Sequence, residues 1–290
     1  MAFAIFVLQL VIYILLFPLY LLNFLGLWNR ICKKWFPVFL SKFTVTYNQQ
    51  MASKKRELFG NLQEFAGPSG TLSLLELGCG TGANFKFYPP ECRVTCMDPN
   101  PNFEKYLVKS IAENRHLHYE RFVVGVGEDM RQVADGSMDA VVCTLVLCSV
   151  KSQEQILREV RRVLRPGGAF YFMEHVAAEQ STWNYFWQQV LDPTWHLVFD
   201  GCSLTRESWK ALEQAGFSKL RLQHLQAPLS WVLEIPGSFG IHILLQTHTV
   251  LPRPQHLAQN LAPPQHSSPS RGGTCPSTQW NLSTQAFTRP

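Results

Sequence analysis

Residues 74–82 read Leu-Leu-Glu-Leu-Gly-Cys-Gly-Thr-Gly, and no other stretch restricts the fold as much. A short apolar run marks a strand buried on both faces of a parallel sheet. The glycines after it let the backbone turn sharply and come close to a ligand. Their spacing differs from that of the phosphate loops, G-x-x-x-x-G-K-[ST] for nucleoside triphosphates and G-x-G-x-x-G for dinucleotides. Here no Lys-Ser/Thr pair follows, and the third glycine comes one residue early. The turn is therefore expected to serve a ligand without phosphates.

Further strand-like runs lie at Arg93–Met97, Tyr119–Val124, Met138–Cys143 and Ala169–Met173. Helical patterns fall between them at Asn102–Glu113 and Gln153–Leu164, the latter with Ile156, Leu157, Val160, Val163 and Leu164 on one face. Arg165-Pro166-Gly167-Gly168 reads as the stop after that helix. Trp209–Gly216 reads as a last helix and Ser218–His224 as a sixth strand. This alternation predicts an α/β fold, a doubly wound and mostly parallel Rossmann-like sheet with its ligand at the carboxyl ends of the strands.

The acids after successive strands define the candidate ligand. Asp98, ending the second strand, offers the acceptor pair that a ribose diol needs. Glu128 and Asp129, with Met130, follow the third strand, where an adenine amino group and ring face would sit. Glu76 precedes the glycine turn and suits a cationic amino-acid end, while Gly78, Gly80 and Gly82 supply the close backbone. An acid-rich nucleoside site with no Lys or Arg in its loop favours S-adenosylmethionine (SAM), which carries a sulfonium, an ammonium and one carboxylate. His175, after the fifth strand, is the first candidate for a general base and His196 the second. Residues 174–217 also hold Trp183, Trp187, Trp195 and Trp209, as a pocket wall or as helical core. The eight cysteines contain no C-x-x-C pair and no zinc-type spacing with histidine, so no metal is expected.

The 290 residues leave room for one such domain with appendages. Residues 1–28 carry no charge and are rich in Leu, Ile, Phe, Val and Tyr. As one helix they would span the ~30 Å hydrocarbon core of a bilayer, whereas a kink at Pro18 would give a monotopic hairpin. Residues 1–56 hold seven basic residues and no acid, against 16 basic and 21 acidic residues over 57–246. A basic flank beside a greasy segment points to membrane headgroups rather than nucleic acid, with the rest of the chain on the cytosolic side. Residues 36–64 are amphipathic and fit either the bilayer surface or a helix packed before the sheet. The expected organisation is a membrane anchor over 1–28, a basic amphipathic region over 29–69, a catalytic domain over 70–246 and a disordered tail over 247–290.

These motifs carry a resemblance. Leu74–Gly82, Asp98, Gly127-Glu128-Asp129, Asp139–Val142 and Leu164–Gly168 resemble the motif series of class I SAM-dependent methyltransferases. Phe17–Leu22, Glu64–Gly70, Asp98-Pro99-Asn100-Pro101 and Phe172-Met173-Glu174-His175 are similar to the methyltransferase-like protein 7 family. That resemblance implies a protein of the endoplasmic reticulum membrane and lipid droplets that methylates small alkyl thiols. A methyltransferase acting on a quinone, phenol or lipid oxygen is the alternative, as is an inactive lipid-droplet scaffold. The match stops near Trp231. Related chains close the sheet with a short strand there, a place that Phe239–Leu244 is positioned to take.

Overall fold

The computed structural model describes residues 1–228 and 240–249, with side chains through His224. Residues 229–239 and 250–290, with Phe239 and most of the expected disordered tail, lie outside the described residues. Five parallel strands form as the apolar runs demand. They are β1 (Ser73–Leu77), β2 (Arg93–Asp98), β3 (His118–Val124), β4 (Met138–Thr144) and β5 (Leu164–His175). Beyond them come β6 (Lys219–Leu220), β7 (Gln223–Pro228) and β8 (Gly240–Thr249). The sheet order is β3-β2-β1-β4-β5-β8-β6, with β7 also on β8. β8 alone runs against its neighbours, from Ala169↔Thr249 to His175↔Ile243 on β5. The closing antiparallel strand is thus supplied by residues 240–249, extending past residue 246, where composition places the domain's end.

Helices cover both faces. α5 (Glu104–Glu113) follows β2, and α6 (Gln153–Val163) follows β4. α6 begins where the Ser152 hydroxyl accepts from the Gln155 N–H, and it buries Ile156, Leu157, Val160 and Val163 with α8 (Ser208–Gln214) and its Leu212. At about 1.5–3 kcal/mol for each large apolar side chain fully buried, this stripe is what holds the helix to the sheet. The other face is covered by α3 (Trp28–Gln50) and α4 (Ala52–Phe59), whose Tyr47, Met51, Leu58 and Phe59 share a core with Leu74, Val94 and Tyr171. Residues 36–64 therefore pack before the sheet.

Arg165–Gly168 is not a free turn after α6. It forms a bulge inside β5, whose register on β4 jumps from Met138↔Leu164 to Ala140↔Ala169. Gly168 fits because any Cβ there would stand 2.8 Å from the Asp139 carbonyl oxygen. Arg165 pairs with Asp139 and donates to the Phe65 carbonyl at 2.7 Å, tying the strand starts together opposite the ligand end.

The single helix expected over the charge-free N-terminus is broken. α1 (Ala2–Leu15) and α2 (Phe17–Phe24) meet at 79°, and among the described residues no single helix is long and apolar enough to cross a membrane. Pro18 opens α2 rather than bending a continuous helix, as expected of a residue preorganised for the first helical turn. α1 packs against α7 (Trp183–Val198), and α2 joins it through the hydrogen bond between the Tyr20 and Thr194 hydroxyls at 2.7 Å. Pro193 within α7 lacks an N–H and leaves the Gln189 carbonyl without its helical donor, which Gln9 Nε2 replaces at 2.8 Å. Trp28 Nε1 donates to the Leu197 carbonyl, also at 2.8 Å, in the last turn of α7. The same device places α3. Pro37 frees the Lys33 carbonyl, which accepts from Asn100 Nδ2 at 2.8 Å and so draws the helix over the end of β2.

Candidate cofactor and acceptor site

A cavity of about 750 Å³ opens at the carboxyl ends of β2, β1, β4 and β5, within the size range of ligand pockets. With strands ~4.8 Å apart, the distance from the end of β2 to the end of β5 is about 14 Å, room for a nucleoside and a reacting partner.

The glycine turn forms one wall. Gly78 has φ +59°, and a Cβ on it would be driven into Val146 Cγ2. Gly80 has φ +50°, and a Cβ there would sit 3.0 Å from Leu40 Cδ2 of α3. Only glycine permits both the left-handed backbone and the close approach. Gly82 closes the turn by donating to the Cys79 carbonyl at 2.9 Å.

Asp98 lies beside this turn. Its Oδ2 accepts from the Gly80 N–H at 3.1 Å and its Oδ1 from the Asn100 N–H at 2.8 Å. Those bonds orient the carboxylate and leave each oxygen with a lone pair for a diol. Burial pushes its pKa up to about 6, even though both N–H groups favour the charged form.

Glu76 is 1% exposed. Its Oε1 accepts from Asn84 Nδ2 at 2.9 Å, while its Oε2 and the buried Tyr88 hydroxyl both lack a hydrogen bond of good geometry among the described residues, although the two side chains interact. Burial raises its pKa. Asn84 bridges to Lys55, whose Nζ donates to Asn84 Oδ1 and Asn48 Oδ1, each at 2.7 Å. Lys55 is also buried, and burial lowers its pKa. A carboxylate and an ammonium thus border one end of the cavity with their charges incompletely met.

Glu128 borders the cavity, its Oε1 accepting from the Lys151 N–H at 2.8 Å. Asp129 does not: it faces solvent, paired with Arg131, and Met130 is buried in the sheet core. Glu128 lies in a turn that the Asp129 N–H closes on the Val126 carbonyl at 3.0 Å, so the chain changes direction between the two acids. His175 is 8% exposed and borders the cavity at the end of β5. Its Nδ1 lies 3.1 Å from Cys202 Sγ. His196 is exposed at the end of α7 and lies outside the lining, while its neighbour Trp195 reaches the cavity and His175.

Sequence reasoning missed the roof and the buried cation. Phe36, Phe39, Phe43 and Tyr47 of α3 stack in succession over the site, and their i, i+3, i+4 spacing was the available signal. Lys55 stands in a run of basic residues that reads as a solvated face. Nothing local marks it as the buried member.

These features fit SAM. Asp98 suits the ribose diol, Glu76 Oε2 suits the ammonium, and the glycine turn lets the ligand approach the backbone. A methyltransferase-domain family model matches residues 75–172. The chain is 81% identical over 240 residues to human thiol S-methyltransferase TMT1A, covering 83% of this chain and 98% of the relative. It is 58% identical to human thiol S-methyltransferase TMT1B, covering 80% and 96%. The chain belongs to the thiol S-methyltransferase family. It is a class I SAM-dependent methyltransferase. A solved geranyl diphosphate methyltransferase in complex with SAM shares the fold, at a TM-score of 0.52 and 16% identity over 72% of this chain and 89% of that one.

Proposed function

We propose that this chain transfers the methyl group of SAM to the sulfur of small alkyl thiols at the surface of a membrane. The 81% identity to a thiol S-methyltransferase across nearly its whole length carries the reading of the acceptor. When bound, SAM supplies a methyl group activated on a sulfonium. Asp98 holds the ribose, Glu128 borders the base, and Glu76 with the Asn84–Lys55 pair receives the ammonium and carboxylate of the amino-acid end. The acceptor sulfur lies at the β5 end, among His175, Trp195 and Phe199. The protein's main contribution is to hold both reactants in line in a water-poor cavity. Incubating the purified chain with isotope-labelled SAM and a series of alkyl thiols tests this. Labelled methyl thioether is expected, and its absence for every thiol would refute the assignment.

The membrane reading rests on α1 and α2. Phe3, Phe6, Ile14, Leu15, Phe17 and Phe24 are between 60% and 86% exposed. One side of the helix pair is fastened to α7 by hydrogen bonds from Gln9 and Tyr20, and the other presents apolar rings, with Arg30, Lys33 and Lys34 following next in sequence. Two short helices at 79° suit insertion into one leaflet, as at the endoplasmic reticulum membrane or a lipid droplet, with the catalytic domain in the cytosol. Flotation with liposomes checks it. The full chain is expected to float, and a variant with Phe3, Phe6, Phe17 and Phe24 changed to Ser is expected to stay in the soluble fraction. Equal flotation of the two would exclude α1 and α2 as the anchor.

A further inference from the structure

Three segments distant in sequence bring together a cluster that local spacing does not reveal. Cys148 follows β4, His175 ends β5 and Cys202 follows α7. Cys202 Sγ lies 3.1 Å from Cys148 Sγ and 3.1 Å from His175 Nδ1, and the three donor atoms all fall within 4.8 Å of one another. All three residues are buried, and His175 and Cys202 also border the cavity. We propose that Cys148, His175 and Cys202 form a binding site for a thiophilic divalent cation, zinc by preference, with its fourth position open to the acceptor end of the cavity.

The geometry suits such an ion. Zinc sits about 2.3 Å from sulfur and 2.0–2.1 Å from imidazole nitrogen, so tetrahedral donors stand about 3.4–3.8 Å apart. Both contacts of Cys202, at 3.1 Å, are shorter than that spacing, so the donors must part by about 0.4–0.7 Å to admit the ion. Two thiolates and a neutral imidazole balance a dication, which makes a buried site tolerable where an unpaired charge would not be.

The surroundings hold the donors in place. The Glu174 carboxylate accepts from the Cys148 N–H at 3.2 Å and the Val146 N–H at 3.0 Å. The Ser203 N–H donates to the Cys148 carbonyl at 3.0 Å, joining the two cysteine-bearing segments. Asp200 and Gly201 take φ +49° and +88°, which turns the chain sharply from α7 into Cys202. His175 gains little from this arrangement without an ion. Its hydrogen-bond partners among the described residues are thiols, which bond weakly, and Trp195 Nε1 beside it has no partner.

The site deepens the thiol reading and rests on it. An alkyl thiol with a pKa near 8.5 or above is largely protonated at neutral pH. On loading, each cysteine loses its S–H proton to solvent as its sulfur binds the cation. An entering thiol does the same: its S–H bond breaks, the sulfur takes the fourth position, and the proton leaves to solvent. The sulfur then forms the new bond to the methyl carbon as the sulfonium carbon–sulfur bond breaks. The neutral thioether, a poor ligand, departs. In this scheme His175 holds the cation instead of acting as a base.

The test is the metal content of the full-length chain, purified without chelators and dialysed, measured by plasma mass spectrometry. About one zinc per chain is expected. Cys148→Ser and Cys202→Ser should each reduce this at least fivefold, whereas Cys92→Ser, at a buried thiol in the opposite core, should retain it. Circular dichroism identifies variants that merely fail to fold, and His175→Gln provides an independent arm. Cobalt substitution should give a thiolate-to-cobalt charge-transfer band that Cys148→Ser abolishes. A folded chain that takes up neither zinc nor cobalt, or that carries a Cys148–Cys202 disulfide instead, overturns the site. Thiol methylation at an unchanged rate by chain shown to be metal-free overturns its part in activation. A chain that binds zinc but methylates no thiol would instead refute the proposed acceptor.

Discussion

Replacing Asp98 with alanine tests the cofactor geometry most directly. The carboxylate is fixed by N–H groups of Gly80 and Asn100, and each oxygen keeps a lone pair toward the cavity. A ribose diol donating to both gains two hydrogen bonds to a charged group, each worth about 1.5–3 kcal/mol. Losing both costs about 3–6 kcal/mol, or roughly 10²- to 10⁴-fold in affinity. Alanine also strips two buried N–H groups of their acceptor, but the space opens into the cavity, where water can serve them. The loss of fold stability is therefore expected at the low end of about 1–3 kcal/mol. Calorimetric titration of the full chain with S-adenosylhomocysteine reads the effect without turnover. The expected result is at least a 100-fold weaker Kd for Asp98→Ala, with Asp98→Asn intermediate because its amide keeps one acceptor oxygen. A Kd within threefold of the unsubstituted chain would show that Asp98 does not hold the ligand.

The same carboxylate sets a pH dependence. Its pKa is raised from 3.8 to about 6, so the ligand-free fold gains from its protonation at low pH and loses that contribution as pH rises through about 6. Ligand binding needs the ionised form, so S-adenosylhomocysteine affinity should fall as pH drops through about 6, on top of the fall from Glu76, whose pKa burial raises to about 7. An unchanged slope in Asp98→Asn would assign that titration elsewhere. Gly78→Ala faces both a positive φ and Val146, and should lose about 2–4 kcal/mol in denaturant unfolding. Gly70→Ala, with φ +77° but nothing within 4 Å, should lose only about 1 kcal/mol, and equal losses would remove Val146 from the explanation. Ending the chain after Pro236 removes β8 and bares the edge of β5 over the Ala169–His175 register. Such an unpaired edge should drive aggregation on expression. A soluble, active truncated enzyme would show that the sheet closes without residues 240–249.

Local pattern carries the five parallel strands, whereas the single strand expected over Ser218–His224 divides into β6 and β7. The run over β1 occupies Ser73–Leu77 as expected, and Glu76, Asp98 and Glu128 reach one cavity because each follows or ends a strand of one parallel sheet. Asp129 and His196 fail to join them for local reasons that burial decides: each is next to a residue that does reach the cavity. The bend at Leu16 was open in the sequence, since Pro18 allows both a kinked span and a new helix. Contact with α7 accompanies the second form.

By itself the sequence determined the five parallel strands, the glycine turn, and Glu76, Asp98 and Glu128 as acids at the carboxyl ends of the strands. Those features rest on periodicity and on short spacings, which act within a few residues. Only the tertiary structure decided that Lys55 is buried at the ligand end and that the tail closes the sheet. It alone showed that Asn100 and Gln9 answer the carbonyls left open by Pro37 and Pro193. It also gathered Cys148, His175 and Cys202, each 27 residues from the next along the chain. Such meetings depend on where the chain returns after crossing the sheet, and no local pattern of side chains encodes that path.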